Sequence, residues 1–262
     1  MPDLYIIKLG GSVITEKEGN RFEAKEAVIA RIAGEIKRAM HDKGFKLIVV
    51  HGAGPFGHTN VQKFGINNGV FSSEQKEGYK KTVLDCIFLD SIVVSKLREA
   101  GVAAVGFDPN KMILQREKKI VEFDTSAVEK ALLEGKVPVL FGQMVPDEKL
   151  NASVISGDTI IVVLAERFKA KKVLLGTDVA GIFTADPKKE KGAKRIALIN
   201  RKNFDSVLEK VCGSAAVDVT GGMRGKLEKL KGLNALVFDA TKAGNVFKAL
   251  AGKKVDGTEV ML

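Results

Sequence analysis

The sequence predicts an α/β fold, a three-layer αβα sandwich wound around a central, mainly parallel sheet. Short β-branched apolar runs alternate with helical patterns along the whole chain. The runs are continuous rather than alternating, as in parallel strands covered by helices on both faces. Glycine-containing turns follow several of them, at the strand ends where open parallel sheets place ligands.

Taken in order, the strand candidates are Leu4 to Leu9, Lys46 to Val50, Ala103 to Phe107, Val137 to Phe141, Lys172 to Leu175 and Ala235 to Phe238. Helical patterns fill Ala24 to Lys43 and Glu74 to Ala100, the first with Val28, Ile32, Ile36 and Met40 along one face. The strand–helix alternation predicts a doubly wound arrangement. With 262 residues, one large domain accommodates it. A soft division near Asn151 separates two sets of Gly-rich turns, so that residues 1–150 and 151–262 read as two lobes on one sheet.

Hydrophobic residues make up 45% of the chain, enough for an extensive core, which excludes a disordered or fibrous class. The formal charge of +10 attracts nucleic acid, anionic lipid or phosphorylated small molecules. A solvated Lys/Glu surface with no specific partner accounts for it as well. Aromatic residues are only 6% and do not interleave with basic ones, which argues against stacking on single-stranded nucleic acid. Cys86 and Cys212 form no CxxC pair, and reduced thiols in a cytoplasmic protein are expected. No apolar run is long enough to span a bilayer, and the strand pattern begins too early for a signal peptide.

Four groups of loop residues carry the chemistry. Lys8-Leu9-Gly10-Gly11-Ser12 ends the first strand. Glycines there let backbone N–H groups approach a phosphate, with Lys8 and Lys17 as mobile charges, although a plain tight turn has the same sequence. His51-Gly52-Ala53-Gly54-Pro55-Phe56-Gly57-His58 follows the second strand. Three glycines in six residues exceed the needs of a turn, and His58 reads as a donor to an anionic oxygen. His51 reads as a structural histidine. Ser153 to Thr159 opens a helical pattern, in which Gly157 exposes N–H groups and Asp158 either caps the helix or orients lysines around a phosphoryl group. The last group is Gly176 to Phe183 together with Asp218-Val219-Thr220-Gly221-Gly222-Met223-Arg224-Gly225-Lys226. Only three residues separate Gly221 from Gly225, so this run is not a Walker A loop, yet it can cradle phosphates by the same physics. HExxH, GxSxG and Cys/His metal patterns are missing from the sequence, and no GxGxxG with a downstream acid marks a dinucleotide site.

In this order, from Lys8 to Lys226, the runs resemble the amino acid kinase family. Within it, GAGPFGH, SVISGD, GTDVAGIF and DVTGGMRGK are most similar to the isopentenyl phosphate kinases. The resemblance implies an ATP-dependent phosphotransferase with Mg²⁺, acting on isopentenyl phosphate in isoprenoid biosynthesis. It implies that Lys8, Gly10, Gly11 and Ser12 hold ATP phosphates and that Lys17 stabilises the transition state. It assigns Ala53, Gly54, His58 and Gly157 to the substrate, with Gly54 shared between the two phosphates and His58 on the acceptor phosphate. Asp178, Gly221, Gly222 and Lys226 become nucleotide contacts, and Asp158 the acid that organises the lysines. A cytoplasmic homodimer built around Glu74 to Phe107, without nucleic acid or membrane partners, is also implied. The chain departs from the family pattern at Ala180, where Asp is common in the TDVDG run, at Gln143, where Asp often follows the glycine, and at Thr59. Other acceptors on the same fold are fosfomycin-type phosphonates, nucleoside monophosphates and acidic amino acids. A different class is a non-catalytic protein that binds anionic ligands or nucleic acid. For a five-carbon tail, Tyr79, Val83, Ile87 and Phe88 are the apolar candidates, or else ordinary core.

Overall fold

The computed structural model describes residues 2–16, 23–212 and 222–262, apart from the side chains at 210–212, 222–224 and 226. The first half runs β1 (Leu4–Leu9), α1 (Gly11–Ile14), α2 (Glu26–Lys43), β2 (Lys46–His51), α3 (Pro55–Lys63), α4 (Ser73–Glu99) and β3 (Ala104–Gly106). Then follow β4 (Ile113–Arg116), β5 (Lys119–Phe123), α5 (Ser126–Leu133), β6 (Val137–Phe141), β7 (Gln143–Asp147) and β8 (Asn151–Ile155). The remainder is α6 (Gly157–Arg167), β9 (Lys172–Thr177), β10 (Ile182–Phe183), β11 (Arg195–Ile196), β12 (Leu198–Asn200), α7 (Phe204–Cys212), α8 (Gly222–Lys229), β13 (Asn234–Asp239), α9 (Asn245–Leu250) and β14 (Gly257–Met261).

Eight strands form the main sheet in the order β12-β14-β13-β9-β1-β2-β6-β3. All neighbours are parallel except β13 and β14. From β1 the chain first builds outward through β2, then returns to place β9 on the other side of β1. That reversal creates a crevice at the carboxyl ends of β1, β2 and β9, the place where open α/β sheets bind ligands.

The pleat decides which residues meet which helices. Ile7, Leu9, Leu47 and Val49 enter one core with α2, α4 and α9, while Ile6, Ile48 and Val50 enter the other with α5, α6 and α8. By the same parity Lys8 faces the α6 side and His51 faces the α4 side. All six strand runs read from the sequence are strands. In α2 the buried face is Ile29, Ile32, Ala33, Ile36 and Ala39, turned slightly from the four-residue step, with Val28 and Met40 at its margin. A capping box of Ser72 and Gln75 starts the 27-residue α4, and Gly44 in the left-handed region (φ 65°) ends α2.

The sequence reading did not anticipate a second sheet, β5-β4-β7-β8. Its strands are short, and β7 contains both Pro146 and Asp147, which weaken a strand signal. Asn151, where the turn pattern changes, opens β8 with φ 60°. Asp147 holds this sheet together. Its carboxylate accepts from the backbone N–H groups of Glu117, Lys118, Lys149 and Leu150 and from the Ser153 hydroxyl. Burial pushes this carboxyl up, but those donors outweigh it and hold it well below the usual carboxylate range.

Because the folded pKa is depressed, the stabilisation is present above the unfolded value of about 3.9 and disappears as pH falls through the folded one. Asp147→Ala should lower stability by roughly 2–3 kcal/mol at neutral pH, the range for hydrogen bonds to a buried charged group. It should also flatten the acid limb of the stability profile. Urea unfolding at pH 7 and pH 3 checks this; equal stability of variant and parent at pH 7 contradicts it.

Candidate active site

A cleft of about 290 Å³ lies in the crevice at the carboxyl ends of β1, β2 and β9. Three loop crossings close its floor. Gly10 N–H donates to Gly176 O at 2.8 Å, Gly52 N–H to Leu9 O at 2.9 Å, and Gly142 N–H to His51 O at 3.0 Å. The loops touch backbone to backbone. A Cβ on Gly11 would stand 2.6 Å from Gly54 N, and one on Gly52 would stand 2.7 Å from Gly11 N. Gly54 has φ 54°, and a Cβ there would reach 2.2 Å from Thr15 Oγ1. Gly57 serves packing instead: a Cβ there would stand 2.8 Å from that of Ala53.

Lys8 ends the buried core of β1, and its Nζ pairs with Asp158 Oδ1 at 2.7 Å, with the two side chains 10% and 15% exposed. The pair joins strand to helix because Lys8 shares the pleat face of Ile6, against which α6 packs. Asp158 does not cap α6. Ser156 is the N-cap, accepting from Thr159 N–H at 3.1 Å, and Asp158 lies in the first turn, where a carboxylate favours the positive end of the helix.

Opposite the pair, Asp178 follows β9. Burial raises its carboxyl, but the Lys188 ammonium at 2.5 Å and the Ser12 hydroxyl lower it further, so that it titrates below the usual range. His51 is buried: its Nε2 lies 3.2 Å from Asp90 Oδ1 on α4, and its ring stacks on Phe141 at 5.3 Å. This is the structural histidine expected. His58 sits on the first turn of α3, half-buried, and lines the cleft.

Lys8, Gly10, Gly11, Ser12, Ala53, Gly54, His58, Gly157, Asp158 and Asp178 all line this one cleft. Lys17 and Gly221 lie outside the described residues; Gly222 opens α8, and the Lys226 side chain is not described. The tail candidates require correction. Tyr79 packs in a satellite cluster with its hydroxyl bonded to Asn110 Nδ2 at 2.6 Å. Ile87 and Phe88 face outward, and none of the four lines the cleft. The apolar lining of the cleft is instead Val61, Met144 and Val154, which pack in one cluster, with Thr82 from α4. These residues come from α3, α4 and the unforeseen β7–β8 hairpin, and no local spacing in the sequence connects them. At Gln143 the amide Nε2 donates to Asp108 Oδ1 at 2.5 Å. Among the described residues no group of three or more His, Cys, Asp or Glu side chains is arranged to hold a metal.

The fold and the cleft define an ATP-dependent phosphotransferase, and the chain belongs to the amino acid kinase family, whose model matches residues 3–232. It is 36% identical to the isopentenyl phosphate kinase of Methanothermobacter thermautotrophicus, with 98% of each chain covered. It is 35% identical to that of Methanocaldococcus jannaschii, again over 98% of each chain. A crystal structure of isopentenyl phosphate kinase superposes with a TM-score of 0.84 at 33% identity, over 98% of this chain and 99% of that one.

Gly11→Ala should displace the glycine loops of the cleft against one another and cost roughly a hundredfold in kcat/KM, as for an ångström-scale misplacement of reacting groups. Steady-state kinetics beside a thermal melt checks it. An active, folded Gly11→Ala would show that the loops do not need this approach.

Proposed function

We propose that this protein transfers the γ-phosphoryl group of ATP to isopentenyl phosphate, forming isopentenyl diphosphate and ADP for isoprenoid biosynthesis. One observation carries the reading: Lys8, Asp158, His58, Ser12 and the loop glycines line the same cleft as the apolar side chains Val61, Met144 and Val154, which pack in one cluster. The glycine loops and Ser12, rich in backbone N–H groups, suit phosphates. Val61, Met144 and Val154 suit a short branched hydrocarbon. The similarity to isopentenyl phosphate kinases over nearly the full chain supports the same acceptor. In this reading residues 1–150 form the acceptor lobe and residues 151–262 the nucleotide lobe, with the glycine loops after β1 and β2 and with Val154 crossing that division.

Phosphoryl transfer needs positioning and charge stabilisation more than covalent help. A phosphate monoester has a second pKa of about 6, so the acceptor oxygen is ionised at neutral pH and needs no general base. That oxygen forms the new bond to the γ-phosphorus. The bond to the β–γ bridging oxygen breaks, and its electron pair leaves on ADP. Lys8, oriented by Asp158, neutralises charge on the moving group, and His58 donates to the acceptor phosphate. Lys17 and Lys226 are the further cations proposed for this work. Mg²⁺, if it accompanies ATP, would rely mainly on phosphate oxygens and water rather than on a protein cage and would supply charge neutralisation to the transferring group.

A reducing cytoplasm suits the buried free thiol of Cys86, which burial pushes well above its ordinary pKa, with Asp85 and Asp108 adding to the effect. No helix among the described residues is long and apolar enough to cross a membrane. On α4, Leu84 (66% exposed) and Phe88 (58% exposed) form an outward apolar stripe with Ile87. This stripe supports a homodimer through α4.

Three outcomes are expected. Purified protein with Mg²⁺ and ATP should release ADP with isopentenyl phosphate in preference to fosfomycin, UMP or glutamate, and phosphorus NMR should show a diphosphate product. Preferential turnover of another acceptor would reassign the apolar wall. His58→Ala should lower kcat/KM by roughly a hundredfold, the scale of a lost oxyanion donor, and near-normal turnover would remove the role. Phe88→Glu should convert a dimer to a monomer in light scattering; a parent protein that is already monomeric contradicts the interface.

A further inference from the structure

Lys229 belongs to none of the four loop groups, yet it reaches the wall of the cleft. It lies at the end of α8, and its Nζ donates to Ser156 Oγ at 3.0 Å. The same oxygen accepts from Thr159 N–H at 3.1 Å and stands 3.0 Å from Thr159 Oγ1. A serine hydroxyl has two lone pairs and one proton. With both lone pairs engaged by N–H donors, its proton goes to Thr159 Oγ1. Lys229 therefore fixes the direction of the hydrogen bonds at the N-cap of α6.

Leu227 and Leu230, both fully buried, enter the same core as Ile160, Ile161 and Leu164 of α6. They set α8 against α6 and leave Lys229 at the cap. Gly157 and Asp158 follow Ser156 directly, both line the cleft, and Asp158 holds Lys8. At its other end, α8 begins at Gly222, inside the glycine run whose resemblance implies nucleotide contacts. The helix thus connects the nucleotide-side loop to the residues that aim Lys8. A cation beside a helix N-terminus adds to the positive potential there, which opposes helix stability and favours anion binding.

We infer that Lys229 is a positioning residue for phosphoryl transfer: through Ser156 it locks the first turn of α6, and with it the Lys8–Asp158 pair, to the helix that follows the nucleotide loop. This rests on the phosphotransferase reading above. The contact acts on the transferring group rather than on the affinity for either substrate.

The test is a double-mutant cycle of Lys229→Met and Ser156→Ala, with Lys229→Arg as the conservative variant. Kinetics with ATP and isopentenyl phosphate are measured together with hydrogen exchange at the Thr159 amide. Lys229→Met should lower kcat roughly tenfold with little change in either KM, the scale of one charge-assisted hydrogen bond. Lys229→Arg should recover most of that loss. The double variant should be no slower than the slower single, because both remove one contact. Exchange at Thr159 should quicken in Lys229→Met. A lowered melting temperature with kcat intact, additive losses, or unchanged exchange overturns the inference. If the parent protein leaves isopentenyl phosphate untouched, the acceptor reading fails by itself. Lys229 is then judged by the Thr159 exchange and by the same kinetic series on whichever acceptor turns over.

Discussion

The ion pair between Lys8 and Asp158 is the contact on which the rest of the site depends. An ammonium near the end of a buried central strand loses most of its hydration, which is unfavourable unless a carboxylate replaces it. Asp158 supplies that carboxylate, from the opening turn of α6. The pleat of β1 makes the pairing geometric: Lys8 must lie on the face of Ile6, and that face is packed against α6. His51 obeys the same rule on the opposite face, where it finds Asp90 and becomes part of the scaffold.

Glycine lets the loops of this cleft approach one another backbone to backbone. Gly11, Gly52 and Gly54 are excluded from carrying side chains by each other's backbone and by Thr15, before any ligand arrives. The three loops therefore form one bonded unit, stitched at Leu9, His51 and Gly176 by the crossings of β1, β2, β6 and β9. Preorganised donors of this kind do not have to reorient as charge develops, which is where electrostatic catalysis gains most. The apolar lining of the cleft is built differently. It combines α3 and α4 with the β7–β8 hairpin, whose geometry is fixed from the far end by the Asp147 carboxylate.

Six strands of the main sheet were legible because each is a largely apolar run between charged or glycine residues, and buried parallel strands read that way; β12 and β14 at one side were not, being short or broken by Thr258 and Glu259. The loops were legible because clustered glycines are informative wherever the backbone must come close. What escaped is the part without a period. In β4, β7 and β8 the polar residues Gln115, Asp147 and Ser153 point into a private network, so hydrophobic alternation is broken. The tail wall escaped for a related reason: Val61, Thr82, Met144 and Val154 are brought together only by tertiary packing. Ile87 and Phe88, read from α4 as pocket or core, lie on its outer face, because the 27-residue helix turns different sides to the cleft and to the surface. Ser156 outcompeted Asp158 for the cap because its shorter side chain precedes the first helical residue, leaving the aspartate in position to reach Lys8.

The central claim is that the Asp158 charge exists to aim Lys8 at the moving phosphoryl group. Asp158→Asn keeps the shape and the hydrogen-bonding oxygen and removes only the charge. Kinetics of that variant, with circular dichroism as a check on folding, test the claim most directly. The account predicts a folded protein whose kcat falls by roughly a hundredfold or more, the scale of a lost electrostatic element. A folded Asp158→Asn protein with near-parental kcat would contradict it.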